Sequence, residues 1–323
     1  MGIDRDSIAA AAQRMTGRIR KTPIVEAGDA CFGLRESPVL KLECLQHSGS
    51  FKVRGVFNHL LNPRTASRFA EAGVVAASGG NHGAAVAYAA QRLNLRADIF
   101  VPEISSPAKI ERIESYGATV HVGGERYADA LDLCRKFQEK TGQLGIHAYD
   151  EEATLVGQGT LAQEWQEQCP KIDTVLVAVG GGGLIGGMAA WYRGDVKVVA
   201  CEPKRSCAYH EADKQGTPVD VCIDGIAADS LGAKRIGSLM FPIAQKFVSE
   251  SVVVDDEEIV RAQYALWSEV QVLAEPGGAT ALAALLSGAY KPEPGERVGV
   301  LICGGNTSIL PGTPNPTLNQ NLG

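Results

Sequence analysis

The feature that most constrains the fold of this chain is a regular alternation of short apolar runs with helical stretches from Val74 onward. Eight apolar runs are predicted to be strands: 74–77, 97–101, 119–122, 146–148, 174–179, 196–201, 251–254 and 297–302. Helical patterns lie between or after them, at 84–93, 107–116, 127–140, 152–167, 184–192, 256–272 and 278–286. Strands that alternate with helices at this spacing form parallel sheets through right-handed βαβ crossovers. We therefore predict an α/β protein with two open, mostly parallel twisted sheets flanked by helices, and an active site between them.

Length, composition and charge narrow the class of protein. A chain of 323 residues is long enough for about two domains, at roughly 100–200 residues each. Hydrophobic residues make up 45% and charged residues 21% of the chain, which is typical of a globular protein. The net charge of −6 gives no overall basic footprint for nucleic acid or anionic lipid. The expected partner is therefore a small molecule, with no nucleic acid and no membrane.

The sequence shows no sign of a signal peptide, a membrane span, a zinc site or a disulfide framework. The first residues lack the basic region and apolar stretch of a signal peptide, so a cytoplasmic location is expected. The uncharged, apolar run from Val175 to Tyr192 contains six glycines and suits a loop between elements better than a membrane span. The eight cysteines form no C-x-x-C pair, which argues against a zinc site or a disulfide framework. The Pro- and Asn-rich end, 311–323, is predicted to be a tail.

One predicted strand runs directly into four consecutive glycines: Gly180, Gly181, Gly182 and Gly183. Ligands of open α/β sheets bind beyond the carboxyl ends of the strands, where such a turn lies. Without Cβ atoms, these residues let successive N–H groups converge on an anion at the positive end of the following helix. The pattern predicts a phosphate-binding loop.

The same glycines also support a hypothesis from another class. Gly181, Gly183 and Gly186 match the dinucleotide pattern G-x-G-x-x-G, and Glu202 ends the next strand near the expected position of an acidic ribose ligand. An NAD-dependent oxidoreductase is therefore the alternative function, although it leaves the lysine cluster described next without a role.

That cluster, Ser48-Gly-Ser-Phe-Lys-Val-Arg-Gly, places Lys52 between an aromatic and a β-branched residue. Apolar surroundings disfavour the ammonium form and lower the pKa of a lysine, which leaves an amine able to form a Schiff base with an aldehyde. Lys52 is therefore a candidate nucleophile.

Five short motifs, taken in order, resemble those of one enzyme family. They are Ser50-Phe51-Lys52-x-Arg54-Gly55, Ser78-Gly-Gly-Asn-His-Gly, the four glycines, Glu275-Pro-Gly-Gly and Cys303-Gly-Gly-Asn-Thr. Their order and spacing resemble the fold-type II pyridoxal-phosphate enzymes, in the branch of serine/threonine dehydratases and serine racemases.

The resemblance implies a fold, a domain division and a cofactor. The fold is that of the tryptophan synthase β-like proteins, fold type II. Residues 1–52 and 147–323 are expected to form a large cofactor-binding domain, and residues 53–146 a small inserted α/β domain. The implied cofactor is pyridoxal 5′-phosphate, the substrate is an amino acid, and the assembly is a homodimer.

Roles for individual cofactor-site residues also come from the resemblance. Lys52 carries the cofactor and acts as the base at the substrate Cα, Phe51 lies near the cofactor ring, and Asn81 hydrogen-bonds the 3′-oxygen. The glycine loop holds the phosphate, and Glu275 and Cys303 complete the site. A Phe51 that only packs in the core remains an alternative.

The substrate carboxylate is expected at the loop that opens a helix after the first predicted strand. The resemblance assigns it to the N–H groups of Ser78, Gly79, Gly80, Asn81 and His82, where a helix N-terminus favours an anion. A His82 that is only a satisfied loop residue remains an alternative.

The implied reaction is a dehydration. The resemblance places Cys303 against the pyridine nitrogen of the cofactor, where a neutral thiol is a weak hydrogen-bond partner. The ring is then a weak electron sink, which is sufficient when a leaving group on Cβ removes the negative charge from Cα at once. The prediction is a pyridoxal-phosphate-dependent dehydratase, or ammonia-lyase, acting on an L-3-hydroxy amino acid such as threonine or serine. Its products are a 2-oxo acid and ammonia. A cofactor-binding homologue without catalysis is a third hypothesis.

The chain departs from the family pattern at two positions. Racemases of the family use a serine two positions before the loop asparagine, where this chain has Gly79, so a dehydratase is favoured over a racemase. The missing side chain is also expected to leave room for a bulkier substrate such as phenylserine or 3-hydroxyaspartate. Some relatives bind a divalent cation through a glutamate and an aspartate. Glu202 matches the glutamate, but this chain has Ala208 in place of the aspartate, so no metal is assigned.

Overall fold

The structure, a computed structural model, describes residues 2–28 and 30–307, so the predicted tail lies outside the described residues. The strands are β1 (Ile24–Glu26), β2 (Val39–Leu42), β3 (Val74–Ala77), β4 (Ala97–Val101), β5 (Thr119–Val122), β6 (Leu144–Gly145), β7 (Thr174–Ala178), β8 (Lys197–Pro203), β9 (Glu250–Val254) and β10 (Val298–Ile302). The α-helices are α1 (Arg5–Arg14), α2 (Lys52–Leu60), α3 (Ala66–Ala72), α4 (Asn81–Arg92), α5 (Pro107–Ser115), α6 (Tyr127–Thr141), α7 (Glu152–Gln168), α8 (Gly183–Tyr192), α9 (Ala208–Gln215), α10 (Ala228–Leu231), α11 (Phe241–Phe247), α12 (Asp256–Val270) and α13 (Pro276–Leu286).

Two separate sheets organise these elements. A six-stranded sheet has the order β1-β2-β10-β7-β8-β9, and a four-stranded sheet has the order β5-β4-β3-β6. Only the β1–β2 pair is antiparallel among the described strands; every other pair is parallel. The strand β7, which precedes the four glycines, is fully buried between β10 and β8. Its carboxyl end therefore opens at the middle of the larger sheet, where ligands of parallel sheets bind.

The smaller sheet bears out most of the strand prediction and corrects one part of it. The strands at 74–77, 97–101 and 119–122 have the bounds expected from the sequence. The strand predicted at 146–148 is wrong, because the fourth strand is the short β6. Beyond it, the carbonyl groups of Ile146 and Ala148 accept hydrogen bonds from His82 and Lys52 instead of from a neighbouring strand.

The predicted domain division remains a prediction. All four strands of the smaller sheet fall between residues 74 and 145, inside the predicted small domain. The apolar cluster that packs on this sheet also contains Ile8 and Met15 from the N-terminal region, which the prediction assigns to the large domain. No helix among the described residues is long and apolar enough to cross a membrane.

Helix α7 contacts both α2 and α8 at backbone distance. A Cβ built on Gly157 would lie 2.7 Å from Gly55 Cα on α2, and one built on Gly159 would lie 2.8 Å from Gly187 O on α8. These glycines leave no side chain between the helices. Because α2 begins at Lys52 and α8 follows the glycine loop, α7 sets the position of the lysine relative to that loop.

Candidate active site

A cavity at the carboxyl ends of the larger sheet brings together most of the residues that the motifs single out. Its lining comprises Phe51, Lys52, Asn81, Ala178, Gly180, Gly181, Gly182, Leu184, Ile185, Ser230, Leu231, Glu275 and Cys303. Of the expected cofactor residues, only Gly183 is not part of the lining; it begins α8 directly behind the loop.

Lys52 presents its amine to this cavity from the first turn of α2. The ammonium nitrogen Nζ donates to Ala148 O at 2.9 Å and lies 5.2 Å from the centre of the Phe51 ring. Burial lowers the pKa of Lys52 to about 8, although the nearby Cys303 and Glu275 oppose that change. The amine is therefore much closer to its neutral, nucleophilic form at physiological pH than an exposed lysine.

The glycine loop is packed on its outer side and open on its inner side. A Cβ built on Gly180 would lie 2.9 Å from Leu231 O, one on Gly182 2.6 Å from Met240 Cε, and one on Gly181 would overlap the Tyr149 ring. In the part of the chain that the structure describes, the N–H groups from Gly180 to Leu184 donate to no protein acceptor. A run of free N–H groups at the start of a helix is an anion-binding site.

Asn81 and Glu275 form one hydrogen-bonded chain at another wall of the cavity. Asn81 Nδ2 donates to Glu275 Oε1 at 2.6 Å, and Asn81 Oδ1 accepts from Asn306 Nδ2 at 2.7 Å. Asn81 keeps one amide N–H for a ligand. Burial raises the pKa of Glu275 to about 7, against the effect of the Asn81 hydrogen bond.

Cys303 follows β10 and is buried, with its thiol donating to Gly277 O at 3.5 Å. Burial, together with the carboxyl group of Glu275, raises the pKa of Cys303 above that of a free thiol. The group facing this side of the cavity is therefore a neutral thiol.

The loop 78–82 has fewer free donors than expected. The Ser78 N–H donates to Phe100 O at 2.9 Å, continuing the strand pairing, and the Gly80 N–H donates to Ser78 Oγ at 3.2 Å. Both N–H groups therefore already have acceptors in the structure, and their binding of a carboxylate stays a prediction. Among the described residues, the N–H groups of Gly79, Asn81 and His82 have no acceptor.

The His82 imidazole serves the fold. It is buried, its Nε2 is 2.9 Å from Ile146 O, and burial followed by the nearby Lys52 charge lowers its pKa to about 3. The alternative of a satisfied loop histidine is the one that this geometry favours for the side chain.

The space expected beside Gly79 for a bulkier substrate is occupied by the side chain of Ser105. A Cβ built on Gly79 would overlap the hydroxyl of Ser105 and lie 3.1 Å from its Cβ. The idea that the missing side chain enlarges the substrate site is therefore wrong.

Three residues of this region carry no sequence signal. Tyr149 packs its ring on the glycine loop, and Ser230 and Leu231 of the short helix α10 line the cavity. None belongs to a recognisable motif, because each is placed in the site by a close contact with a glycine that is distant in sequence: Tyr149 with Gly181, Leu231 with Gly180 and Ser230 with Gly277. The packing requirement of those glycines was the only available clue.

Glu202 is not placed to bind a ribose. Its side chain is fully buried and accepts from the N–H groups of Tyr209 at 2.9 Å and His210 at 2.7 Å, in the first turn of α9. Burial raises the pKa of Glu202 to about 8. The dinucleotide hypothesis therefore loses the acidic residue on which it depends.

The cavity fits a phosphorylated pyridine aldehyde. It has an anion site in the glycine loop, an amine of lowered pKa at Lys52, an aromatic wall at Phe51 and a neutral thiol at Cys303. These are the groups needed to hold a phosphate, form an imine, pack against a ring and meet a ring nitrogen.

Comparison with known proteins agrees with this assignment. Phenylserine dehydratase of Ralstonia pickettii is 35% identical over 94% of this chain and 93% of its own length. L-threonine ammonia-lyase of Geobacter sulfurreducens is 34% identical over 94% of this chain and 75% of its own length. The structure of maize serine racemase matches with a TM-score of 0.89 and 32% identity, covering 98% of this chain and 96% of that one. These likenesses confirm the predicted fold. The family model described as pyridoxal-phosphate dependent enzyme matches residues 15–304. The chain belongs to the family of pyridoxal-phosphate dependent enzymes.

Proposed function

We propose that this protein is a pyridoxal-phosphate-dependent dehydratase that converts an L-3-hydroxy amino acid into a 2-oxo acid and ammonia. The observation that carries the proposal is the Lys52 amine, with a pKa lowered to about 8, in one cavity with the open glycine loop and the neutral Cys303 thiol. The names of the relatives, a phenylserine dehydratase and an L-threonine ammonia-lyase, support elimination as the reaction.

Lys52 is the proton acceptor in this proposal. When bound, the cofactor withdraws electrons from the substrate Cα and so makes the α-proton acidic. The Nζ of Lys52, once free and neutral, takes that proton. The Cβ–O bond then breaks, and the hydroxyl group leaves as water with a proton that the Lys52 ammonium gives back, which restores the neutral amine. The unsaturated amine product adds water and loses ammonia, which leaves the 2-oxo acid.

The other residues hold the reacting groups in place. The N–H groups from Gly180 to Leu184 bind the phosphate, and the remaining amide N–H of Asn81 donates to the 3′-oxygen. The N–H groups of Gly79 and His82 bind the substrate carboxylate. The phosphate and 3′-oxygen assignments rest on free donors of residues that line the cavity, apart from Gly183, which begins α8 behind it. The carboxylate assignment rests on free N–H groups next to Asn81, since neither Gly79 nor His82 is part of the lining.

Cys303 decides between reaction types in this proposal. A buried neutral thiol opposite the ring nitrogen does not hold the ring in its protonated form, as a carboxylate would. With this weaker electron sink, the negative charge that develops at Cα would be discharged best by loss of the hydroxyl group. Elimination is favoured over transamination, which needs a longer-lived carbanion.

The decisive test is to find the imine and the product together. We expect the purified holoenzyme to absorb visible light, and borohydride to bleach it and fix the cofactor on Lys52, as read by peptide mass spectrometry. Threonine, serine, phenylserine and 3-hydroxyaspartate are then assayed for 2-oxo acid and ammonia. Attachment at another lysine, or no 2-oxo acid from any of the four, would refute the proposal.

Two finer statements belong to the same proposal. The working assembly is a homodimer and its location is the cytoplasm; the first rests on the family resemblance and the second on the sequence prediction. Sedimentation of the holoenzyme and cell fractionation test them.

A further inference from the structure

Gly79 and Ser105 lie against each other although they belong to loops after different strands, β3 and β4. A Cβ built on Gly79 would come within 3.0 Å of Ser105 Oγ and stand 3.1 Å from Ser105 Cβ. The Ser105 side chain thus fills the space into which a residue at position 79 would project. It is partly exposed, and its hydroxyl has no hydrogen-bond partner among the described residues.

The segment that carries Ser105 is anchored to the larger sheet's side of the cavity. On α5, just after Ser105, Lys109 pairs with Asp229 and Arg112 donates to Asn306. The Ser105 N–H donates to the carbonyl of its own turn at 3.0 Å. The backbone that carries Ser105 is therefore held at the loop, while its hydroxyl stays free.

Most donors that this part of the site offers a carboxylate are neutral, because the nearby Lys109 and Arg112 already contact Asp229 and Asn306. The His82 imidazole is uncharged, because burial lowers its pKa to about 3, and Lys52 is the only basic side chain in the lining of the cavity. A carboxylate held away from Lys52 must then be bound by N–H and O–H groups, and hydrogen bonds to an ionised group are the strong ones. The free Ser105 hydroxyl, which packs against Gly79, adds such a donor near the loop.

We propose that Ser105 is a substrate-binding residue whose hydroxyl donates to the carboxylate of the amino-acid substrate. The inference rests on the proposed function. The arrangement requires glycine at position 79, since any side chain there would displace the Ser105 hydroxyl. The proposal concerns recognition and assigns Ser105 no proton transfer.

The first experiment is steady-state kinetics of the holoenzyme of Ser105→Ala. We expect KM for the L-3-hydroxy amino acid to rise about 10-fold, with kcat changed less than about 2-fold and the cofactor absorbance unchanged. Ser106→Ala is the matched control, because Ser106 is the exposed neighbour and its side chain makes no capping hydrogen bond to α5; its KM should stay at the wild-type value.

The second experiment tests the contact itself. Gly79→Ala should displace the hydroxyl and raise KM as Ser105→Ala does, and the double variant should be no worse than either single one, because both remove the same interaction. Additive losses would overturn the inference. So would an unchanged KM in Ser105→Ala, or a large fall in kcat with KM unchanged, which would make the hydroxyl a proton-transfer group.

A titration with L-alanine separates this inference from the proposed function. L-alanine has the carboxylate but no β-leaving group, and its binding is followed by the absorbance of the bound cofactor. About 10-fold weaker binding to Ser105→Ala supports the inference even if no hydroxy amino acid is turned over. Equal binding to wild type and variant refutes it.

Discussion

Removing the Arg54 guanidinium should destabilise the protein by far more than removing a surface arginine. Arg54 is fully buried two residues after Lys52, and donates to both oxygens of Glu43 at 2.8 and 2.7 Å and to Glu164 at 3.0 Å. Lys41, also fully buried, pairs with Glu164 at 2.5 Å. The cluster holds two cations and two carboxylates, so its formal charge is balanced.

In Arg54→Met the two carboxylates share one lysine, which leaves one buried negative charge without a partner. Breaking a buried pair in this way costs about 3–5 kcal/mol of the free energy of unfolding. Arg54→Lys keeps the charge and loses the two-pronged contact with Glu43, so its loss should be smaller. Arg54→Met combined with Glu43→Gln removes the excess charge and should recover at least about 1 kcal/mol.

The assay is urea unfolding followed by circular dichroism, with saturating cofactor in every sample because ligand binding shifts apparent stability. Arg261→Met is the matched control: Arg261 is 72% exposed, pairs with Glu258 one turn away, and should change stability by about 0.5 kcal/mol or less. A loss in Arg54→Met below about 1 kcal/mol, or no recovery in the double variant, would show that the cluster is not held by its charge balance.

Three further predictions concern the site. Lys52→Ala should lose both the visible absorbance and turnover; an active Lys52→Ala enzyme with cofactor resistant to dialysis would place the imine elsewhere. Because the pKa of Lys52 is lowered to about 8, the neutral amine increases as pH rises. Stopped-flow capture of added cofactor by apoenzyme should therefore speed up from pH 6 to about pH 9 and level off above. A rate that does not change between pH 6 and 9 would contradict that pKa. Cys303→Ser should retain substantial elimination, whereas Cys303→Asp should slow elimination and increase exchange of the α-proton with deuterium, read by NMR; wild-type behaviour of Cys303→Asp would mean that the residue does not face the ring nitrogen.

The sequence predicted what depends on local pattern. Strands such as β3 and β4 are continuous apolar runs, and the glycine loop follows a buried strand, so both could be located from the residues alone. The strand β2 was not predicted, since Lys41 at its centre is charged and yet fully buried by its partners from α7. A strand that depends on a distant ion pair has no local signature.

The site could be predicted in its motifs but not in its contacts. Lys52 and Cys303 were found through short motifs, and the structure places both in one cavity. The packing of Ser105 against Gly79 could not be predicted, because whether a glycine leaves empty space depends on which side chain packs there. The use of the Ser78 N–H by Phe100 likewise depends on strand pairing that no single segment encodes.

The glycine contacts of α7 have a consequence for how the enzyme folds. Gly55 and Gly187 meet α7 from segments far apart along the chain, with the whole smaller sheet encoded between α2 and α7. Such non-local contacts form late, because the loop between them must close first. Lys52 and the phosphate loop therefore come into register only after both helices have docked on α7, and capture of the cofactor marks the completion of folding rather than one of its early steps.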